Sequence, residues 1–390
     1  MPPARREMPP DSRTLGVSFD LLCRMVGPSP GLEQLRRALH KGIDFPQLLQ
    51  VASDHSVRPQ LIGTLAALSW ESVPPSVRTD LEAFRRLHVG FCLAAADQLA
   101  RLVAALAARG IRVAAFKGAT LAAALYGDLA AREYNDIDLI VPPSQLDEAE
   151  DVVLSFGYRG AQGDRRFRRA FLSYQGQYMF VRAGQPAVDL HWAFTGSHLP
   201  FPLAAEEIWR SLDVVRIGPH DVPAVVGADL PLLLAGHGTK EAWQSLGWIC
   251  DFALVVERRR DLDWLALHTR ARHRGCGDSL LLAYAMADRL LGVAMPAALT
   301  RAVAASWRVG RLAEALVGDL RKGVPAPAKK RDLADLDLCD RAIDRLGVAL
   351  RVALTPTAGD HAALPLPPLL WPAYRLIRPF RLAAKAFGRR

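Results

Sequence analysis

The sequence predicts an α+β protein in which a small mixed β-sheet core is flanked by N-terminal and C-terminal helical regions. On both sides of residues 111–227, apolar residues recur every three or four positions, which is typical of helices. Within that range, short runs alternate polar and apolar residues, which is typical of strands. The chain has 390 residues, of which 51% are hydrophobic and 23% charged. This composition indicates an ordinary globular protein with two or three packed subdomains.

The N-terminal part of the chain is predicted to be helical after a short polar segment. We expect a flexible, proline-rich N-terminus over residues 1–14 and a helical region over residues 15–110. Pro75 and Ser76 are typical of a helix start, and Gly110 is typical of a helix end. The long helix between them is expected to pack beneath the segment that follows.

The next unit, residues 111–227, mixes strands with short helices. Glycines at 118, 127 and 157 end several of its predicted elements. Ser144 is expected to cap the second helix, and residues 183–186 to form the turn between the last two strands. The predicted elements are a strand at 111–116, a helix at 119–126, a strand at 136–141, a helix at 144–156, and strands at 174–182 and 187–194.

The rest of the chain is predicted to be helical again. We expect a C-terminal helical domain over residues 228–360 and a basic amphipathic tail over residues 361–390. A proline-rich stretch at 325–330 is typical of a linker or an exposed loop, and a last helix is expected over 332–354.

The charge and cysteine content exclude some classes of protein. A formal net charge of +9 favours an anionic partner or simply reflects an arginine-rich surface. Five scattered cysteines with no Cys-x-x-Cys spacing argue against a disulfide framework and a structural zinc site. The N-terminus lacks a secretory signal, and we recognise no apolar run of about 20 residues that would span a bilayer. We therefore expect a cytoplasmic protein.

Asp136 and Asp138 are the strongest candidates for chemistry. On a strand, residues i and i+2 point to the same face, with α-carbons roughly 6.5 Å apart. Two neighbouring acids repel one another, and Mg²⁺, which prefers carboxylate oxygens and substrate phosphates, relieves that repulsion. Asp189 lies in another predicted strand and can complete a cluster of three carboxylates able to bind two metal ions. An Asp-x-Asp pair also occurs on strands that bind no metal.

The residues around these acids resemble a known superfamily. The segment FKGATL at 116–121 is followed by EYNDIDLIV at 133–141. A strand, a glycine turn, a short helix and a strand with paired aspartates resemble the DNA polymerase beta-type nucleotidyltransferases. More narrowly, they look like the family of uncharacterised nucleotidyltransferases, and they are similar to its toxin-type relatives. The resemblance covers residues 111–251 well and the flanks weakly.

The resemblance implies roles for several residues. Asp136 and Asp138 would bind two Mg²⁺ ions, Asp189 would complete the site, and an NTP, expected to be ATP, would be the co-substrate. It also places the backbone after Phe116 against the nucleotide phosphates. Many superfamily members have Gly-Ser at this turn, whereas this chain has Lys117-Gly118.

Several neighbouring side chains have two interpretations. Gly118 can bring backbone N–H groups close to phosphate. Lys117 could contact phosphate or be solvated, and Thr120 could hydrogen-bond phosphate or cap the helix. Arg132 could neutralise phosphate, pair with a catalytic acid or form a surface salt bridge. His191 could orient a carboxylate, act as a base or be a structural histidine.

A polar stripe is predicted to form a second wall of the site. The stripe is placed on one helix at intervals of three or four residues and consists of His237, Lys240, Glu241, Gln244, Trp248 and Asp251. The resemblance suggests that Lys240 contacts the triphosphate, with His237 and Trp248 lining the cleft. Alternatively, the tryptophans pack in the core and Asp251 caps or pairs locally. Gly247 could break the helix.

Two basic segments remain open to interpretation. The arginines of residues 165–169 could grip RNA or peptide, or they could form a solvated loop. The tail carries Arg375, Arg378, Arg381 and Lys385 at helical spacing and suits an anionic membrane surface. Docking onto the protein's own helical domain is the alternative. Pro379 is expected to kink or interrupt any helix there.

The leading functional hypothesis is metal-dependent transfer of a nucleoside monophosphate from an NTP to an unidentified acceptor, with release of pyrophosphate. One alternative is a toxin-like enzyme that modifies RNA. Another is a nucleotide-binding regulatory or scaffold protein without turnover. The acceptor, whether a small molecule, a peptide or RNA, is not specified by any motif in the sequence.

Overall fold

Helices form most of the chain. The computed structural model of the protein describes residues 12–196, 199–294, 296–323, 339 and 342–387. The helices before the sheet are α1 (Ser12–Val26), α2 (Leu32–Leu39), α3 (Phe45–Asp54), α4 (Arg58–Ala67) and α5 (Pro75–Ala108). Those among the strands are α6 (Gly118–Leu121), α7 (Leu146–Ser155) and α8 (Arg165–Phe171). Those after the sheet are α9 (Leu230–Lys240), α10 (Leu246–Arg258), α11 (Trp264–His273), α12 (Gly277–Leu291), α13 (Ala297–Ala305), α14 (Trp307–Arg321), α15 (Ala342–Leu354), α16 (Ala358–Ala363) and α17 (Tyr374–Phe387).

The described part of the chain contains one sheet of seven strands in the order β3-β4-β5-β2-β1-β7-β6. The strands are β1 (Ala114–Ala115), β2 (Asp136–Ile140), β3 (Arg159–Gly160), β4 (Gln177–Val181), β5 (Ala187–His191), β6 (Asp213–Ile217) and β7 (His220–Ala224). Strand β2 runs parallel to β5 and antiparallel to β1, so the sheet is mixed. The predicted α+β class with a small mixed sheet is therefore confirmed.

Two hydrophobic cores lie on opposite faces of this sheet. Along β2, Ile137 and Leu139 pack into a core with α5 and α7, whereas Ile140 packs into a core built from helices. The helical core joins helices from before and after the sheet, since Phe19 of α1 and Phe252 of α10 belong to it together. The two helical regions predicted to flank the sheet therefore pack on each other.

The long helix α5 runs from Pro75 to Ala108, as the sequence predicted, and packs against the sheet and α7. Among the described helices it alone is long and apolar enough to cross a bilayer, a property that our sequence prediction missed. Half of its most apolar window is buried inside the protein. A core helix also has this property, so the observation by itself is weak support for a membrane span.

Two predicted elements need correction, and a third region cannot be compared. Strand β1 covers only Ala114–Ala115, because Lys117 turns the chain away from the sheet with φ 61°. Ser144 does not cap α7, since a 3-10 turn (Pro143–Gln145) precedes the helix and places Gln145 at the N-cap position. The predicted linker at 325–330 and the start of the last predicted helix lie outside the described residues.

The C-terminal tail packs against α8 and also against α15, the last helix of the predicted helical domain, where Nε of Arg378 donates to the carbonyl of Val352 at 2.7 Å. Its rings His361, Trp371 and Tyr374 lie 4.9–5.3 Å from the ring of Phe171. Helix α17 continues through Pro379, so the predicted interruption does not occur.

Candidate active site

The carboxylates meet because β2 and β5 are parallel neighbours in register. Asp138 lies opposite Asp189, and Ile140 lies opposite His191. The strand alternation that sends Ile137 and Leu139 into the core therefore leaves the acids on the other face. Ligand atoms of Asp138, Asp189 and His191 lie within 4.8 Å of one another.

Of the three acids, Asp138 is the one whose negative charge is balanced by close partners. Its two oxygens lie 3.1 Å from the ammonium of Lys117 and 3.0 Å from Nε2 of His191. Burial raises the pKa of this carboxyl, but the Lys117 cation and the His191 hydrogen bond outweigh burial and hold the pKa well below its usual range. Asp138 is therefore ionised at neutral pH.

Asp136 and Asp189 carry charge that the protein does not fully compensate. Burial, and then the neighbouring charge of Asp138, raise the pKa of both carboxyls to about 6. One oxygen of Asp189 accepts a hydrogen bond from Gln177 at 2.8 Å. Its other oxygen is buried and has no hydrogen-bond partner among the described residues. This unpartnered oxygen, together with the crowded acids, fits a divalent cation.

Lys117 adopts a backbone conformation that glycine favours. Its φ of 61° is followed by a φ of 44° at Gly118, so two successive residues have left-handed geometry. Such a conformation costs of order 1–3 kcal/mol in a non-glycine residue. It brings the ammonium to Asp138, where burial lowers the lysine pKa but the charges of Asp138 and Asp136 outweigh burial and raise it.

Thr120, which was predicted as a possible phosphate contact, does not line the cavity. Its side chain is fully buried, and its hydroxyl donates a hydrogen bond to the carbonyl of Lys117 at 2.9 Å. The start of α6 has no side-chain cap, so neither the phosphate contact nor the capping alternative agrees with the structure.

The predicted polar stripe does not lie on one helix. Helix α9 ends at Lys240 and α10 begins at Leu246. The break falls at Ala242 and Trp243, whose φ angles of 53° and 50° are left-handed. Gly247, which was considered as the breaker, lies inside α10, where its N–H bonds to the hydroxyl of Ser245 at 3.2 Å.

Both sides of this break still contribute to the same cavity. His237 and Lys240 come from α9, and Trp248 and Asp251 come from α10. The rings of His237 and Trp248 meet edge to face at 5.1 Å. Burial and the cations of Lys117 and Lys240 hold the pKa of His237 well below its usual value, so this ring is neutral at pH 7.

Arg132 pairs with Asp251 rather than with Asp136, Asp138 or Asp189. Its Nε and Nη2 donate to the two carboxylate oxygens at 3.1 and 2.9 Å, and both side chains are buried. The hydroxyl of Tyr126 donates to Asp251 at 2.7 Å. Sequence reasoning considered both residues but did not connect them, because they lie 119 positions apart.

The acids, the lysines and the residues of α9 and α10 described above surround a cavity of about 330 Å³. It brings together seven of the eight predicted site residues: Lys117, Gly118, Asp136, Asp138, Asp189, His237 and Lys240. Ser56, from the turn between α3 and α4, and Gln60, from α4, also line it. Neither was predicted, since an isolated polar residue in a helical region carries no functional signal.

The arginine cluster of residues 165–169 is not a loop. It forms α8, whose first turn is capped by the side chain of Asp164. Three of its arginines pair with acids of α7: Arg165 with Glu150 and Asp151, Arg168 with Glu150, and Arg169 with Asp147. These pairs leave little free positive charge for an RNA contact.

Acids on adjacent parallel strands beside a lysine-glycine turn form the kind of site expected of a nucleotidyltransferase. The sequence profile of the family described as uncharacterised nucleotidyltransferase matches residues 41–292, and the chain belongs to this family. The protein is thus a nucleotidyltransferase by family.

Two further comparisons add no functional detail. The solution structure of the antibiotic-resistance factor ANT(2'')-Ia is similar to this chain at 17% sequence identity and a TM-score of 0.24. The similarity covers 52% of this chain and 90% of that one. No match was found among curated proteins.

Proposed function

We propose that the protein transfers a nucleoside monophosphate from an NTP, with ATP as the expected donor, to a hydroxyl-bearing acceptor and releases pyrophosphate. The observation that carries the proposal is the pairing of Asp138 with Asp189 on parallel strands, with Asp136 on the same face. An excess of carboxylate at a cavity wall is unfavourable without a cation. The family membership supports nucleotidyl transfer in general.

In this proposal, Asp136, Asp138 and Asp189 hold two Mg²⁺ ions. Bound Mg²⁺ would neutralise phosphate charge and favour the ionised form of the attacking hydroxyl. Asp189 would also accept the proton of that hydroxyl. His191 positions Asp138 through its Nε2 contact.

The cationic side chains are proposed to hold the phosphates. Lys117 balances Asp138 in the ligand-free protein and is close enough to the acids to meet a phosphate beside them. Lys240 faces the same cavity, paired loosely with Glu241 at 3.8 Å. The backbone N–H groups at Gly118 are the further phosphate donors in this scheme.

The acceptor can be identified by following the label. Purified protein is incubated with Mg²⁺, each α-labelled NTP and a cell extract, and the extract is then separated into RNA, protein and small molecules. The proposal expects label in one fraction and release of pyrophosphate. The matched control is the Asp136→Asn, Asp138→Asn double variant, which should leave every fraction unlabelled. Equal labelling by the double variant would refute the proposal.

The two alternative functions predict different outcomes. A toxin-like enzyme would label RNA and arrest growth on expression, but the paired arginines of α8 give this alternative no support. A regulatory protein without turnover would bind NTP and release no pyrophosphate with any extract.

We also propose that the C-terminal helices contact an anionic membrane. Leu376 and Phe380 of α17 are 73% and 78% exposed. The sequence has no acid after Asp360, which is buried and paired with Arg378 and Arg381. An exposed apolar helix face without exposed acids fits an anionic lipid surface.

Sedimentation with lipid vesicles tests this contact. The protein should sediment with vesicles that contain phosphatidylserine and much less with phosphatidylcholine alone. Leu376→Ser with Phe380→Ser should abolish sedimentation, whereas Leu87→Ser, at another exposed apolar site, should not. Unchanged sedimentation of the double variant would reject the proposal.

A further inference from the structure

Gln60 lines the cavity and has a side-chain amide without a hydrogen-bond partner among the described residues. Both its side-chain nitrogen and its side-chain oxygen are shielded from solvent, and neither has a hydrogen-bond partner within the described residues. The residue lines the same cavity as the three acids. A buried polar group without a partner destabilises a fold, so such a group at a cavity wall points to a ligand that completes its hydrogen bonds.

The position of Gln60 is fixed relative to the catalytic strand. It lies in the first turn of α4, two residues after Arg58. The backbone N–H and the Nε of Arg58 donate to Glu133 at 3.0 and 3.1 Å, and its guanidinium also covers the ring of Phe84 at 3.9 Å. Glu133 precedes Asp136 by three residues, so this ion pair ties the start of α4 to the segment that leads into β2.

The hydrogen-bonding pattern of the Gln60 carboxamide indicates which kind of ligand it would bind. It offers one donor and one acceptor side by side in a plane, which matches the edge of a nucleobase and forms a bidentate pair with adenine. Phosphate oxygens only accept hydrogen bonds and are better matched by Lys117 and Lys240. The segment from α3 to α4 contributes Ser56 and Gln60 to the cavity lining, and both side chains are neutral. These neutral polar side chains can hydrogen-bond the base of a nucleotide, whereas the lysines on the other side of the cavity can bind its phosphates.

We propose that Gln60 reads the base of the bound NTP and is a determinant of nucleotide preference. This inference rests on the proposed NTP-dependent reaction and deepens it. Gln60 is a specificity residue here, with no part in the chemistry at the acids.

Two substitutions separate recognition from folding. Gln60→Met removes both hydrogen-bonding atoms at nearly constant volume, and it should flatten the preference among ATP, GTP, CTP and UTP. Gln60→Glu replaces the donor with an acceptor at neutral pH and should move the preference toward GTP, because guanine presents two adjacent donors, N1–H and the 2-amino group. Gln34→Glu, on the exposed surface of α2, is the matched control for added charge.

The readout is the ratio of dissociation constants for the four NTPs in Mg²⁺, measured by calorimetry on the full chain. Wild type should prefer ATP, and the ATP-to-GTP ratio should change by about 10-fold or more in Gln60→Glu. The thermal midpoint of Gln60→Met should be equal to or above that of wild type. Unchanged ratios in both variants would overturn the role of Gln60 and leave the proposed function standing. Failure of wild type to bind any NTP would overturn both.

Discussion

Two groups of buried charge face the same cavity, and they differ in how completely the protein compensates them. Asp251 receives hydrogen bonds on both oxygens, from Arg132 and Tyr126. In the carboxylate cluster, Lys117–Asp138 is the only ion pair with a lysine or arginine that the three acids form among the described residues. The charge of the first group is compensated within the fold, and we propose that the second group binds a divalent cation. Asp251 therefore stabilises the fold, whereas the three clustered acids are the proposed ligands of the cation.

The largest predicted effect on stability concerns the Arg132–Asp251 pair. Replacing Arg132 with Met leaves the buried Asp251 carboxylate without its cation, and the free energy of unfolding should fall by about 3–5 kcal/mol. Urea denaturation measures this loss. Arg86→Met, on the exposed face of α5, should change stability by less than about 0.5 kcal/mol. A loss at Arg132 no larger than at Arg86 would contradict the comparison.

In the carboxylate cluster, a substitution is predicted to change the free energy of unfolding in the opposite direction. Asp136 has a pKa of about 6, so its charge at pH 8 destabilises the metal-free fold. Asp136→Asn should therefore raise the free energy of unfolding at pH 8, without divalent cations, by about 1–3 kcal/mol while abolishing transfer. Urea denaturation in a chelating buffer tests this expectation, and destabilisation by the substitution would argue against an uncompensated site.

A positioning residue should have an intermediate effect. His191 holds Asp138 through Nε2, and His191→Ala should weaken binding of divalent cations by about 10–100-fold. Titration with Mn²⁺ measures the affinity, and the exposed His220→Ala is the control. If both variants bind Mn²⁺ as tightly as wild type, His191 has no role in positioning.

The last predicted effect is a dependence on pH. Raised carboxyl pKa values mean that Asp136 and Asp189 hold protons in the folded protein that the unfolded chain releases, so the contribution of these two acids to metal-free stability should fall as pH rises from about 4 to 6. Divalent-cation affinity should rise by up to about 10-fold per pH unit for each proton displaced, and level off above pH 6. Melting curves of wild type and of Asp136→Asn, with and without Mg²⁺ from pH 4 to 8, test both trends. An affinity that is flat over this range would show that these acids are already ionised.

Sequence reasoning predicted the part of the site that depends on local periodicity. The alternation in β2 and β5 was enough to put Asp136, Asp138 and Asp189 on one face. The break after α9 was invisible because left-handed geometry at Ala242 and Trp243 has no residue signal. The pairs Arg132–Asp251 and Arg58–Glu133 join distant segments, so only the folded chain reveals them. The proposed limits of the domains stay predictions.

The most direct test of the account is pyrophosphate release with Mg²⁺, NTP and a cell extract as acceptor source. We predict that wild type releases pyrophosphate and that Asp136→Asn with Asp138→Asn lowers the rate by about 100-fold or more while cooperative unfolding is retained. Release at the wild-type rate by the folded double variant would contradict the assignment of these two carboxylates to the chemistry.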